Sequence, residues 1–258
     1  MTNDMRRLVA GEMRKLTTTR LWLWMLLASM ILTGVYASLL IGFAEDPDTL
    51  TAPLDTAAGQ QTLFAVAAGG ANTLVAVLAA IGLTGEFRHR TATATFLATP
   101  HRGRVVVAKM FTYAALGVAY AVACLAIVIA IVIPWLTAKD IDISLTGNGL
   151  PGTMAAVIAD IAIFALVGVG LGALLRNQVA TVVGLLIYRF VAEPIVTGVP
   201  ALAEWTIYLP GSASAALTQV SLTTQDYLAP WQGGLLLAGY GLALAVAGTW
   251  LSIRRDVT

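Results

Sequence analysis

The chain has 258 residues, of which 58% are apolar and 11% charged. A soluble domain carries about 25% charged residues, so this composition excludes an ordinary globular surface in water. The formal net charge of +1 gives no reason to expect a nucleic-acid partner, and the single cysteine, Cys124, excludes an intrachain disulfide or a Cys-rich metal site.

Residues 4–20 put Met5, Leu8, Val9, Met13 and Leu16 at helical spacing, with Arg6, Arg7, Glu12, Arg14 and Lys15 between them. The pattern predicts an amphipathic helix lying on a membrane interface. Six long apolar runs follow, at roughly 21–43, 63–85, 110–136, 154–175, 179–200 and 233–253. A bilayer core takes about 20 residues of helix. Lipid offers the backbone no hydrogen-bond partner, so each run should be a transmembrane helix. The first run is too long for the core of a cleaved signal peptide and is expected to be the first span.

The runs differ in detail. An acidic loop with Glu45, Asp46, Pro47 and Asp48 ends the first. The second carries Asn72 and Thr73 near its middle, and the third, the longest, has Lys109 at its start, placed to snorkel. Gly168, Gly170 and Gly172 in the fourth run, and Gly234, Ala238, Gly241, Ala245 and Gly248 in the sixth, let helices approach closely, within one chain or across a subunit seam. The fifth run is interrupted by Tyr188, Arg189, Glu193, Pro194, Gly198 and Pro200, which leaves only about a dozen residues of uninterrupted apolar helix at its start. Residues 194–231 are too broken to span and too apolar for a solvated loop. They are expected to be re-entrant helix fragments packed on protein.

The charges between the runs sort by sign. Thirteen of the fifteen Lys and Arg residues lie in the N-terminal arm, the second connection, the fourth connection and the tail. The other connections hold Lys139 and eight acidic residues, among them Asp140, Glu204 and Asp226. By the positive-inside rule both termini are cytoplasmic. The expected fold is therefore an all-α membrane protein of six transmembrane helices, forming one domain over 1–258, in contact with membrane lipids.

Catalytic signatures are missing. None of the three lysines closes a phosphate-binding loop, and the two histidines, His89 and His101, are not in a metal-protease motif. Three ionisable residues remain inside the runs: Asp160, Arg189 and Glu193. Such groups are functional candidates by default. At 1.5 Å per residue Arg189 lies roughly 15 Å in from one face and Asp160 roughly 12 Å from the other, within one helical turn of the same level. Arg189 can pair with Asp160 across two spans or with Glu193 at i,i+4; the cross-span pair is the one expected, with Asn72, Glu193 and these two as pathway or gate residues.

The second connection, 86–109, is basic yet contains Phe87, Phe96 and Leu97, with a short helix expected over 91–98 before Pro100. Apolar side chains in a charged loop suggest docking of a partner. Glu86, Thr91, Leu97, Thr99-Pro100, Arg102 and Lys109 follow the order seen in the loop between spans two and three of ABC-2 type transporter permeases, which this stretch resembles. Arg90 stands where that family often has glycine. The segment 12–20 is similar to the family's N-terminal interfacial helix, 174–180 to its tight turn between spans four and five, and Glu193-Pro194 and 209–213 to its outer re-entrant region.

The resemblance implies one transmembrane half of an ABC exporter in the cell membrane. It implies a second permease copy or sister permease, and a separate ATPase subunit that binds ATP and Mg, with no cofactor or metal in this chain and no enzymatic activity of its own. Glu86, Phe87, Arg88, Arg90, Phe96, Leu97, Pro100 and Arg102 would couple to that ATPase. Mostly Ala, Val, Leu and Gly in the spans favour a hydrophobic or amphipathic cargo such as a drug, lipid or peptide. The alternatives are a secondary carrier working without an ATPase, or a membrane scaffold.

Overall fold

The computed structural model describes residues 2–44, 52–88, 102–219 and 227–254, and the regular structure among them is helical. The order is α1 (Thr2–Thr18), α2 (Leu21–Gly42), α3 (Ala57–Arg88), α4 (Arg102–Ala138), α5 (Leu150–Leu175) and α6 (Gln178–Ile187). A π-helical turn (Tyr188–Ala192) joins α6 to α7 (Glu193–Thr197). A 3-10 turn (Pro200–Leu202), α8 (Ala203–Thr206), α9 (Pro210–Thr218) and α10 (Pro230–Arg254) complete the chain. Six helical segments are long and apolar enough to cross a membrane, and they coincide with the six apolar runs. This is the helical content expected of a multi-pass membrane protein.

The centre is α3. Between Thr62 and Gly85 its residues, Asn72 apart, are apolar or small on every side, which is the pattern of a helix surrounded by protein. Ala65, Ala67, Ala68, Ala71, Ala76, Ala79 and Ala80 are all buried. Small side chains let α2, α4 and α5 lie against it, and α10 packs on the far side of α5. The glycines of the fourth run divide between these neighbours. A Cβ on Gly168 would strike the backbone carbonyl of Ala76 on α3, and one on Gly170 would meet the backbone of Ala245 on α10 at 2.8 Å. Both positions thus serve packing within the chain. By contrast α2, α6 and α10 leave large apolar side chains such as Trp24, Ile31, Val179 and Val246 exposed, as lipid contact permits.

Several elements differ from the sequence expectation. The helices run further than the apolar runs: α3 continues through Arg88, and α4 already begins at Arg102, so Glu86–Arg88 and Lys109 are helical rather than loop residues. At 37 residues α4 is roughly 55 Å long, well beyond a core of about 30 Å. The interruption expected in the fifth run from Tyr188 to Pro194 does not stop the helix. It continues through the π turn to Thr197, because the wider turn makes room for Pro194, whose ring clashes with the carbonyl four residues back in a regular helix. The 45–48 acidic loop and the short helix expected over 91–98 lie outside the described residues. After α7, α9 packs against α10 and α5 as a protein-covered fragment.

The Gly168 contact gives a stability test. Gly168→Leu should lower the thermal midpoint of the detergent-purified protein, by an amount corresponding to about 1–3 kcal/mol or more. Gly239→Ala, where a Cβ meets nothing within 4 Å, should leave it unchanged or raise it. Equal effects of the two would remove the close α5–α3 approach from the account.

Candidate functional site

Ionisable groups gather at two levels of the bundle. The first lies where α1, the last turn of α3 and the first turns of α4 meet. Lys109 is 1% exposed. Its Nζ pairs with the Glu12 carboxylate, with Glu86 Oε1 at 3.0 Å, and reaches the carbonyl of Gly82 at 3.4 Å. The half-exposed Lys15 binds the same two acids, Glu12 Oε1 and Glu86 Oε1, each at 2.7 Å. Each carboxylate therefore touches both ammonium groups, and the four formal charges cancel.

A buried ammonium loses several kcal/mol of hydration, recovered only with close, well-paired partners. Here Lys109 has two. Lys109 therefore does not snorkel, because two acids reach it where it stands. Glu12, expected on the polar face of α1, is instead turned into the protein with Leu16. For Lys15, burial works against the charge, but its hydrogen bonds to Glu12 and Glu86 and their negative charges win, holding the ammonium above the ordinary lysine value.

The two residues after Glu86 on α3 bind a different element. The Arg176 guanidinium lies 5.9 Å from the centre of the Phe87 ring, within cation–π range. Arg88 Nη1 donates to Gln178 Oε1 at 3.3 Å. Both partners belong to the turn between α5 and α6, where Arg176 is left-handed (φ 52) and Asn177 caps α6 by accepting from the Ala180 N–H at 3.1 Å. Three consecutive residues of α3, Glu86, Phe87 and Arg88, thus link α1 and α4 to this turn. Arg90, Phe96, Leu97 and Pro100 lie outside the described residues, as does the side chain of Arg102, which opens α4.

The second level contains the other candidates. Arg189 does not pair with Asp160. Its Nη1 binds Glu193 Oε2 at 3.1 Å, and Glu193 Oε1 accepts from the backbone N–H of Gly211 at 2.5 Å. The reason is local: i,i+4 spacing across the π turn brings the Glu193 carboxylate beside the guanidinium, while Asp160 is enclosed by α3 and α9. Glu193, 4% exposed, so joins α7 to the start of α9. A Cβ at Gly211 would lie 2.6 Å from both Glu193 oxygens, so a larger residue there would push the ends of the Glu193 and Arg189 side chains out of this contact.

Asp160 instead accepts from Asn72 Nδ2 at 3.0 Å, and the same amide reaches Ser214 Oγ at 3.4 Å. Two cavities flank this region. One, of about 460 Å³, is lined by apolar residues such as Phe164, Leu171 and Leu185, with Arg189 and Glu193 at its edge. The other, of about 510 Å³, is lined by Tyr36, Asn72, Phe190 and Ser214 among others, and Arg189 and Thr73 border both. Of the sequence candidates, Asn72, Arg189 and Glu193 reach a cavity, and Asp160 lies behind Asn72. The structure adds Glu12, Lys15, Ser214 and Gly211. The i,i+3 spacing of Glu12 and Lys15 was the available signal for the first two; nothing in the sequence singles out the others.

The four-charge cluster can be tested by charge balance. Lys109→Met strands two acids, and removing one partner of a buried pair costs about 3–5 kcal/mol. The Lys109→Met/Glu86→Gln double variant leaves Lys15 and Glu12 as a neutral pair and should recover much of that loss in thermal unfolding. Additive losses would show that the residues are not energetically coupled.

No protein-family model matches this chain, and no curated protein matches it.

Proposed function

We propose that this chain is the transmembrane subunit of an ATP-driven ABC exporter of the ABC-2 type, with both termini cytoplasmic and a hydrophobic or amphipathic cargo. The observation that carries the reading is the Glu12, Lys15, Glu86 and Lys109 cluster. It ties α1 to both helical ends flanking residues 89–101, the basic stretch that holds Phe96 and Leu97. A push from a partner on that stretch is then delivered to α1, α3 and α4 together.

The remaining parts fit this role. Phe87 and Arg88 extend the same contact to the α5–α6 turn, so the cytoplasmic ends of the spans respond as a set. The two cavities between α3, α5, α6 and α9 offer apolar walls with a few polar groups, suited to an amphipathic molecule. The Arg189–Glu193–Gly211 contact acts as an outer latch, holding the fifth span to the re-entrant helix α9 until the bundle is moved. ATP and Mg belong to the separate ATPase, and a second permease copy, or a sister permease, completes the pathway. A secondary carrier is the second reading, favoured by one observation: an intramembrane carboxylate, Asp160, with no cation in contact.

The test is to purify the chain with a co-expressed P-loop ATPase and measure association and hydrolysis. Phe96→Asp and Leu97→Asp should reduce co-purification several-fold while membrane insertion stays normal. Lys109→Met/Glu86→Gln should keep the ATPase bound but uncouple its hydrolysis from added cargo. Unchanged association and unchanged coupling in all three would overturn the exporter reading.

A further inference from the structure

Asp160 is 0% exposed and stands near the middle of α5. Oδ2 accepts the Asn72 amide, but Oδ1 has no hydrogen-bond partner. The groups facing it are known from each neighbouring helix. From α3 they are Asn72 and Thr73, and from α9 Ser214. On the π turn, Arg189 is committed to Glu193. The other three helices packed on α5 offer no charge at this level: α4 has none between Lys109 and Ala138, α6 none along its length, and α10 none before Arg254. A formal negative charge therefore sits in protein beside two neutral groups, the Asn72 amide and the Ser214 hydroxyl, with no contacting cation.

An isolated ionised carboxylate out of water is strongly disfavoured, and the usual resolution is neutralisation. A bulky cation does not fit that role here. Asn72 and Ser214 line the larger cavity, and Asp160 lies behind them without reaching its wall. We propose that Asp160 is a proton-binding site that exchanges with the larger cavity through the Asn72 and Ser214 side chains. The proton adds to the open lone pair of Oδ1, giving a neutral acid, and returns to water in the cavity when Asp160 ionises. This site goes beyond the exporter reading and does not depend on it, since its test needs no ATPase.

The full chain in lipid vesicles is treated with dicyclohexylcarbodiimide, and each carboxyl is followed by peptide mass spectrometry. The acid gives its proton to a carbodiimide nitrogen, the carboxylate oxygen adds to the central carbon, and the adduct rearranges to a stable N-acylurea. Asp160 should be modified at acid pH, with the yield, corrected for reagent decay, falling about tenfold per pH unit once the group ionises. The same peptide from Asp160→Asn, which has no carboxyl at this position, is the control and should stay unmodified. A yield on Asp160 that does not fall as pH rises overturns the proposal, and absence of an adduct at every pH does so together with identical pH profiles in the measurement that follows.

A second measurement guards against poor reagent access. If the native state holds a proton that the unfolded chain releases, stability falls as pH rises. Asp160→Asn, isosteric with the neutral acid, should fold and should abolish that part of the fall in thermal midpoint. Identical pH profiles for wild type and Asp160→Asn would equally overturn the site.

Discussion

The ammonium of Lys109 must be neutralised where it stands, and much of the arrangement at that end of the bundle follows from this. Its stem comes from the start of α4, a helix that carries no further charge after it. Neither water nor a headgroup reaches it. Two carboxylates from two other helices do, and each also needs Lys15 for full compensation. Removing any one member leaves net charge in a buried place. The cluster therefore fixes α1, α3 and α4 relative to one another more strictly than apolar contact alone, which tolerates sliding.

Away from that end the constraint changes character. Packing of α5 on α3 depends on the absence of side chains at Gly168, and of α10 on α5 on their absence at Gly170. Close backbone contact is favoured in lipid because dispersion, not the hydrophobic effect, drives helix association there. Small residues at the centre also leave the cavities beside Arg189 and Asn72. The bundle is thus pinned by charges at one end and held by the Glu193–Gly211 contact towards the other.

The six helices were legible because their signal is length and apolarity, which lipid enforces without reference to tertiary structure. Candidate residues were legible for the same reason: Asp160, Arg189 and Glu193 stand out against an apolar background. Their pairing was not. Depth estimates put Arg189 and Asp160 at one level but carry no information on rotation about the helix axes, and the π turn at Tyr188–Ala192 resets that rotation. Periodicity ranks Glu12 among the polar, surface residues of α1. Only the approach of Lys109 and Glu86 from other helices makes its burial favourable. Ser214 and Gly211 carry no sequence signal, since their roles come from what α9 packs against.

The central claim is that the charge cluster makes α1 and α4 one mechanical unit. It is tested most directly by spin labels at Arg7, exposed on α1, and Val107, exposed on α4, in a Cys124→Ala background in lipid, with distances read by pulsed electron resonance. The account predicts a single narrow distance that broadens markedly on Lys109→Met. A distribution equally narrow and equally centred in Lys109→Met would contradict it.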